Sequence, residues 1–466
     1  MTSDYQSAAN QARDLLDTVS PSMCLAKWKQ VSLHLPTGLN NSCYHPPLHR
    51  IPLAEIEADP SALHNTSHKK ARRQEMLDGV KCAECSYCWN IEATGNPSDR
   101  HYRSGEPWAY TAFDEVMAAG ATGNVNPSYV EVNFNHACNL KCSYCSPQFS
   151  SSWASEIDAL GAYPTLIPHN NPEHFTGERR PVPAREHNPY VEAFWKWWPD
   201  LYPHLQHFRM TGGEPLMDKN TYKVFDYILA NPKPDLHLNV TSNFSVEPRL
   251  FEKYMSYAKQ LCNEQTLEHF MQFVSVDTWG KQAEYIRDGL DFELMKENVE
   301  TFLRDIPGRN SITFIVTFNN LSIANIDKLL DYVLYLRNKY STTYQRVWID
   351  FPILHSPAWQ SIALLPESYS WHLEQTISKF KQYVNNPVSS NPFAEIKDFE
   401  ITKLERDLAW MRKTRSEMPA SVLNSRRADF YRFFNEYNKR RGLDFLSTFP
   451  EMTEWWELCR HLSTES

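Results

Sequence analysis

The grouping of its cysteines is the feature that most constrains this chain. Six of the ten cysteines are separated from another cysteine by only two or three intervening residues; they are Cys82, Cys85, Cys88, Cys138, Cys142 and Cys145. The N-terminal residues show no basic segment followed by an apolar run, so we expect no secretory leader, a cytoplasmic location and a reducing compartment. In such a compartment, closely spaced cysteines indicate metal or iron–sulfur ligation rather than disulfide bonds.

The length and composition of the chain exclude several classes of protein. It has 466 residues, of which 42% are hydrophobic and 22% are charged, with 14 glycines and 30 prolines. These values predict a globular protein of several domains and exclude collagen-like and disordered chains. The formal net charge of −9 disfavours binding to nucleic acid. No apolar run is long enough to span a bilayer, so we expect no membrane insertion.

The pattern of the chain changes near residue 126. Residues 1–125 are cysteine-rich and irregular, residues 126–360 alternate strand-like and helical segments, and residues 361–466 are helical. The strand-like runs are 129–134, 207–210, 236–241, 273–276, 312–318 and 347–351. Strands alternating with helices indicate parallel βα units. Six strands are too few for a closed eight-stranded barrel, so we expect an α/β fold with an open, partial (β/α)6 barrel resembling a TIM barrel.

Two further segments stand out. Residues 158–190 interrupt the alternation with a long loop rich in proline, asparagine and histidine, and such a loop is often functional. Its His169, His174 and His187 have no ligand spacing, so we interpret them as surface residues. Residues 67–77 predict a short basic helix, whose lysines and arginines face solvent or, alternatively, the substrate.

A C-x3-C-x2-C motif follows the first predicted strand, formed by Cys138, Cys142 and Cys145. A structural zinc ion takes four protein ligands, and a four-iron cluster has four corners. Three cysteines fill three corners and leave one iron open to a chelating small molecule. His136 is an alternative fourth ligand, which would make this a zinc site.

This motif, with an aromatic residue before its last cysteine, resembles the radical S-adenosylmethionine (SAM) superfamily. The resemblance implies that a 4Fe-4S cluster on the three cysteines binds SAM at its open iron and reduces it. The resulting 5′-deoxyadenosyl radical then takes a hydrogen atom from the substrate, and a reductant such as flavodoxin or ferredoxin supplies the electron. Tyr144 occupies the aromatic position and would pack against adenine.

A second motif of the same superfamily is Gly212-Gly213-Glu214-Pro215, which follows the second strand. Glycines allow a ligand to approach the backbone closely, and a glutamate can accept a hydrogen bond from an ammonium group. The resemblance implies that this GGEP motif binds the amino group of the methionine moiety of SAM.

Polar residues at the ends of the next strands complete the resemblance. They are Asn239, Thr241, Ser242, Asn243, Ser275, Asp277 and Arg287. The resemblance implies that the first four contact ribose, that Ser275 contacts ribose or the methionine carboxylate, and that Arg287 contacts that carboxylate. Asp277 either joins them or orders the loop. These residues lie at the carboxyl ends of strands, where barrels of this kind carry their sites.

The remaining cysteines of the first 125 residues resemble a twitch domain, the shorter relative of the SPASM domain, which binds an auxiliary iron–sulfur cluster. Cys24 and Cys43 form a C-x13-G-x4-C pattern, and three further cysteines follow. We assign the ligands to Cys24, Cys43, Cys85 and Cys88, with Cys82 spare or replacing one of the last two. A four-cysteine zinc site is the alternative. The domain precedes the core here, whereas in most twitch enzymes it follows the core.

Together these motifs predict a radical SAM enzyme that acts on a peptide or protein side chain. The auxiliary cluster would either ligate substrate or accept the electron that remains after hydrogen abstraction. The alternatives are a non-catalytic zinc-binding interaction protein and a radical SAM enzyme that acts on RNA or on a small molecule.

Overall fold

The computed structural model describes residues 2–169, 180–183, 185–385 and 389–465. Its strands are β1 Gln30–His34, β2 Leu39–Asn41, β3 His49–Arg50, β4 Tyr129–Asn133, β5 Lys141–Cys142, β6 His207–Thr211, β7 Lys233–Ser242, β8 Leu267–Ser275, β9 Arg287–Asp288, β10 Ser311–Ile315 and β11 Val347–Asp350. Its helices in the first half of the chain are α1 Thr2–Asp17, α2 Ala26–Lys29, α3 Leu53–Ala58, α4 Ser67–Leu77, α5 Ser86–Glu92, α6 Asp99–Gly105, α7 Pro107–Tyr110, α8 Phe113–Ala119, α9 Ser151–Leu160, α10 Pro189–Leu201 and α11 Lys219–Ala230. The later helices are α12 Pro248–Leu261, α13 Gly280–Ile286, α14 Phe292–Asp305, α15 Ile326–Tyr340, α16 Ser370–Asn385, α17 Asp398–Glu417, α18 Ala420–Arg441, α19 Phe445–Thr448 and α20 Thr453–Glu465.

A mostly parallel sheet forms the centre of the molecule. Its strand order is β11-β10-β8-β7-β6-β4-β1-β2-β3, and every neighbouring pair from β11 to β1 is parallel. The six predicted strands correspond to β4, β6, β7, β8, β10 and β11. The predicted α/β class with a parallel sheet is therefore confirmed, whereas the closure of the sheet into an open barrel and the three domain boundaries stay predictions.

The two faces of this sheet differ in polarity. Val130 and Val132 of β4 and Phe208 of β6 are fully buried on the face that packs in the hydrophobic core. On the other face, Glu131 of β4 lies opposite Arg209 of β6 in the strand register. Because side chains alternate between faces, the polar residues of consecutive strands line one surface. That surface leads to the carboxyl ends of the strands.

The cysteine-rich segment joins the same sheet. Strand β1 pairs in parallel with β4, and β2 and β3 extend the edge in antiparallel pairs. This segment also has a small hydrophobic core of its own, which includes Leu16, Met23, Trp28, Trp108 and Val116. Cys24 precedes α2 and Cys43 follows β2, so the sheet edge next to β4 positions both.

The basic helix predicted at residues 67–77 is present as α4, but two of its cations are internal. Lys69 is 1% exposed and donates to the Gln30 carbonyl at 3.0 Å. Arg73 is fully buried and donates to Asn65 Oδ1 at 3.0 Å. The prediction of a basic face open to solvent or substrate is wrong for these two residues, because both satisfy backbone and amide acceptors within the cysteine-rich region.

The C-terminal region is helical, as expected, from α16 to α20. Leu373, Ile377 and Phe380 of α16 lie at positions i, i+4 and i+7 and are buried, whereas Val384 at i+11 is 39% exposed. In the part of the chain that the structure describes, no helix is long and apolar enough to cross a membrane.

Candidate active site

The cysteine loop, residues 135–146, leaves the carboxyl end of β4 and is held by the first turn of α9. Ser152 Oγ donates to the Cys138 carbonyl at 2.7 Å, and Trp153 Nε1 donates to the Cys142 carbonyl at 2.9 Å. Burial raises the pKa of Cys142 to about 11 and that of Cys145 to about 12. The free thiols are therefore protonated at neutral pH, and binding of a metal or cluster as thiolates would release protons.

The GGEP motif lies directly against this loop. The Glu214 amide donates to the Ala137 carbonyl at 2.7 Å. A Cβ atom at Gly213 would lie 2.2 Å from the Ala137 oxygen, and one at Gly212 would lie 2.1 Å from Asn133 Oδ1. Since no side chain can occupy such positions, both glycines are required for this contact.

Glu214 places an ionisable group in the interior beside the loop. It is 2% exposed, and its carboxylate accepts hydrogen bonds from the amides of Leu216 at 3.0 Å and Asn243 at 2.8 Å. Burial raises its pKa to about 7. A cationic ligand group next to this carboxylate would favour its ionised form, which fits the expected contact with an ammonium group.

The segment after β7 also contacts the cysteine loop. Asn243 Nδ2 donates to Asn139 Oδ1 at 2.8 Å, while Ser242 Oγ accepts from the Phe244 amide at 3.0 Å. Thr241 Oγ1 accepts from Arg209 Nε at 3.2 Å on the polar face. Asn239 lies on the same face, in register with Arg209.

Asp277 and Arg287 form a buried ion pair under the loop. Arg287 Nη2 donates to Asp277 Oδ1 at 3.0 Å, and Tyr144 donates its hydroxyl hydrogen to Asp277 Oδ2 at 3.0 Å. Arg287 Nη1 also lies 3.6 Å from Cys142 Sγ. Asp277 thus orders both Arg287 and Tyr144, while Ser275, at the end of β8, lies in register with Ile315 of the next strand.

Some buried polar atoms near this loop have no hydrogen-bond partner among the described residues; they include Asn133 Oδ1, His136 Nδ1 and Thr278 Oγ1. They leave hydrogen-bonding capacity that a polar ligand could satisfy. Burial lowers the pKa of His136, so it is neutral at pH 7. Within the described ranges, no three His, Cys, Asp or Glu side chains converge as ligands of a single metal ion.

A second cysteine-lined cavity lies in the first part of the chain. Four of the five cysteines of that region line it, namely Cys24, Cys43, Cys85 and Cys88. The Cys82 thiol instead donates to the Arg72 carbonyl, with a sulfur-to-oxygen distance of 3.6 Å. Within the described ranges, the four cysteines assigned as ligands therefore line one cavity without converging on a single point, and the Cys82 thiol is directed elsewhere.

This cavity adjoins the polar face of the sheet. Tyr44 directly follows Cys43, and its hydroxyl lies 3.1 Å from the Tyr129 hydroxyl and 3.3 Å from Glu131 Oε2. The sequence analysis did not predict this contact between Tyr44 and the sheet. The available signal was Glu131, an acidic residue within a strand.

Three further contacts of the loop were also missed. Gln360 Nε2 donates to Ser143 Oγ at 2.7 Å, which ties the loop to the segment after β11. His169, from the described part of the insert, lies with Nε2 3.2 Å from the Tyr144 carbonyl. Lys141 forms ion pairs with Glu156 at 2.9 Å and with Asp288. His187 is a surface residue, as interpreted, and His174 lies outside the described residues.

Comparison with known proteins adds a distant relationship. No protein-family model matches the sequence. GTP 3′,8-cyclase of Campylobacter lari is 21% identical over 200 residues, which are 43% of this chain and 48% of that protein. The cyclase is a radical SAM enzyme. This chain is similar to a radical SAM enzyme. The matched region spans about half of the length of the cyclase, and the similarity supports radical SAM chemistry in general.

Proposed function

We propose that this protein is a radical SAM enzyme whose Cys138, Cys142 and Cys145 hold a 4Fe-4S cluster with one open iron. The observation that carries the proposal is the contact between the GGEP motif and the cysteine loop, with the Glu214 amide 2.7 Å from the Ala137 carbonyl. Two motifs that lie far apart in the sequence meet there. The distant similarity to a radical SAM enzyme supports the same conclusion.

The residues of the chain would bind and orient SAM. Glu214 accepts hydrogen bonds from its amino group, and Tyr144, held by Asp277, packs against the adenine. Arg287 attracts the methionine carboxylate, while the polar ends of β7 and β8 contact the ribose. When bound, the cluster and SAM supply a 5′-deoxyadenosyl radical that abstracts hydrogen.

We further propose that Cys24, Cys43, Cys85 and Cys88 hold an auxiliary iron–sulfur cluster. The support is a cavity that all four cysteines line, while the Cys82 thiol is hydrogen-bonded to the Arg72 carbonyl. Four cysteines occupy all four corners of a four-iron cluster. An auxiliary site of this kind has no open position for substrate, so we assign it to electron transfer rather than to substrate ligation.

For the substrate we propose a peptide or protein side chain, on the basis of the resemblance to twitch and SPASM enzymes. A nucleotide is the second candidate, because the named relative is a GTP cyclase. Incubating the reduced enzyme with SAM and GTP separates the two. If GTP is consumed in step with SAM, the result favours a nucleotide substrate. We expect instead that SAM is cleaved slowly and GTP stays intact, as a peptide or protein substrate implies.

The metal content of anaerobically purified protein tests the proposal. We expect about eight irons and eight sulfides per chain, and an electron paramagnetic resonance (EPR) spectrum of the reduced protein that changes when SAM is added. About four irons and one zinc would retain the SAM site and make the second site structural. Zinc without iron, after careful reconstitution, would contradict the enzyme and favour an interaction protein.

A further inference from the structure

We propose that Lys27 is a positioning residue that raises the reduction potential of the auxiliary site by holding a buried positive charge beside its four thiols. The inference rests on the proposed auxiliary cluster. It assigns a role to a residue that no motif of the sequence singles out.

Lys27 belongs to the wall of the cysteine cavity. It lies on α2, three residues after Cys24, and its side chain is 2% exposed. It lines the same cavity as the four cysteines. Its ammonium group forms an ion pair with Glu84, the residue immediately before Cys85.

The electrostatic surroundings of Lys27 favour its charged form. Its ammonium group is buried, and the carboxylate of Glu84 is its counter-ion. A lysine ammonium has three N–H donors. Within the described ranges, Glu84 is the one hydrogen-bond acceptor that its ammonium group contacts. Lys27 therefore remains a cation whose charge acts on the cysteine sulfurs.

Two arginines of the cavity wall are also paired with carboxylates. Arg100 forms a two-pronged pair with Glu92, with both N–O distances 2.9 Å, and Arg103 pairs with Glu106 at 2.9 Å. Glu84 also lies 3.1 Å from His68 Nε2, so its charge is shared between two basic groups. Lys27 contacts one oxygen of its carboxylate partner, whereas Arg100 contacts both oxygens of Glu92.

A buried positive charge beside a cluster changes the reduction potential of that cluster. Reduction adds one negative charge to a cluster that thiolates already make negative, and a nearby cation stabilises that reduced form. Removal of the Lys27 charge is expected to lower the reduction potential. Removal of the Glu84 charge is expected to raise it, because Glu84 opposes Lys27.

The test is a redox titration of the auxiliary site by EPR in the full chain. A Cys138/Cys142/Cys145 triple-alanine background removes the SAM cluster, so that one reduced signal remains. In this background we compare the unaltered Lys27 with Lys27→Met, Lys27→Arg and Glu84→Gln. The expected result is a lower midpoint potential for Lys27→Met, a smaller change for Lys27→Arg and a higher potential for Glu84→Gln.

Iron and sulfide analysis distinguishes two negative results. In one the auxiliary cluster is present but its potential does not depend on Lys27, and in the other the cluster is absent. About four irons per chain in the triple-alanine background, with equal midpoint potentials in all variants, would overturn the role of Lys27 and leave the cluster intact. No iron in that background would overturn both. If Lys27→Met fails to fold, Glu84→Gln still decides, since an unchanged or lower potential in that variant contradicts the inference.

Discussion

The backbone amide of Glu214 donates a 2.7 Å hydrogen bond to the carbonyl oxygen of Ala137, one residue before Cys138. This bond joins the GGEP motif to the cysteine loop. It also brings a buried carboxylate close to the place where the loop would hold a cluster. The proposed chemistry depends on this junction, since a cluster and its ligand must be fixed relative to each other.

Replacing Gly213 with alanine tests the junction sterically. The new Cβ would lie 2.2 Å from the Ala137 oxygen, so the loop and the motif must separate. We expect a loss of about 1–3 kcal/mol in the free energy of unfolding and a loss of SAM binding of at least about tenfold. Gly95→Ala is the control, because a Cβ atom there would have no other atom within 4 Å, although its φ is +81°. Equal SAM affinity in Gly213→Ala and wild type would argue against the junction.

The pH dependence of SAM binding tests Glu214. Burial raises its pKa to about 7, so the carboxyl holds a proton below that pH and must lose it before pairing with an ammonium group. SAM affinity should fall about tenfold per pH unit below pH 7 in the wild type. The variant Glu214→Gln should bind SAM about tenfold more weakly at pH 8 and show a flatter pH profile below 7. Calorimetric titrations of reconstituted protein between pH 5.5 and 8 measure both, and parallel profiles would contradict this role.

The raised pKa of Glu214 also makes the free energy of unfolding depend on pH in the absence of SAM. The folded pKa of Glu214 lies above the unfolded value of about 4.3. Its contribution to stability is therefore complete below that value and is lost as the pH rises to about 7. The difference in unfolding free energy between wild type and Glu214→Gln should change by about 4 kcal/mol over this window, with the wild type losing stability as the pH rises. Urea unfolding of the metal-free protein at several pH values measures it, and a constant difference would be evidence against the shift.

We expect Asp277 to stabilise the fold as well as to position Arg287 and Tyr144. Its neutralisation in Asp277→Asn leaves the buried Arg287 without its counter-ion, and we expect a loss of about 3–5 kcal/mol in stability. Glu268→Gln is the matched control, because the Arg309–Glu268 pair is 50% and 42% exposed and should be worth about 1 kcal/mol or less. Thermal unfolding compares the two variants, and similar losses would contradict the account.

The lining of the second cysteine cavity predicts that replacing Cys88 and replacing Cys82 will have different effects on the iron content. Cys88→Ser should lose the auxiliary iron, because Cys88 lines the cavity, whereas Cys82→Ser should keep it. Iron and sulfide analysis of both variants measures this. Loss of iron in Cys82→Ser with retention in Cys88→Ser would reverse the assignment of ligands.

Much of the sheet could be predicted from the sequence because strand periodicity is a local property. The alternation at Tyr129–Asn133 gives β4, and the spacing of Cys138, Cys142 and Cys145 defines the loop after it. The contact between Tyr44 and Glu131 could not be predicted, because it joins residues 87 positions apart. The parallel pairing of β1 with β4 is non-local in the same way.

The main error of the sequence analysis was to expect cationic side chains at the surface that the structure buries. Lys69 and Arg73 look like the solvent-facing residues of a basic helix, since charged side chains are rarely buried without partners. Their partners are the Gln30 carbonyl and the Asn65 side chain, which only the fold brings within reach. Lys27 was overlooked for the same reason, because its environment depends on three separate segments.

Reductive cleavage of SAM tests the central claim most directly. Anaerobic protein loaded with iron and sulfide is incubated with dithionite and SAM, and 5′-deoxyadenosine is quantified beside the Cys142→Ala variant. The account predicts 5′-deoxyadenosine from the wild type and none from Cys142→Ala. No 5′-deoxyadenosine from wild-type protein that carries the full iron content would contradict the assignment of a radical SAM enzyme.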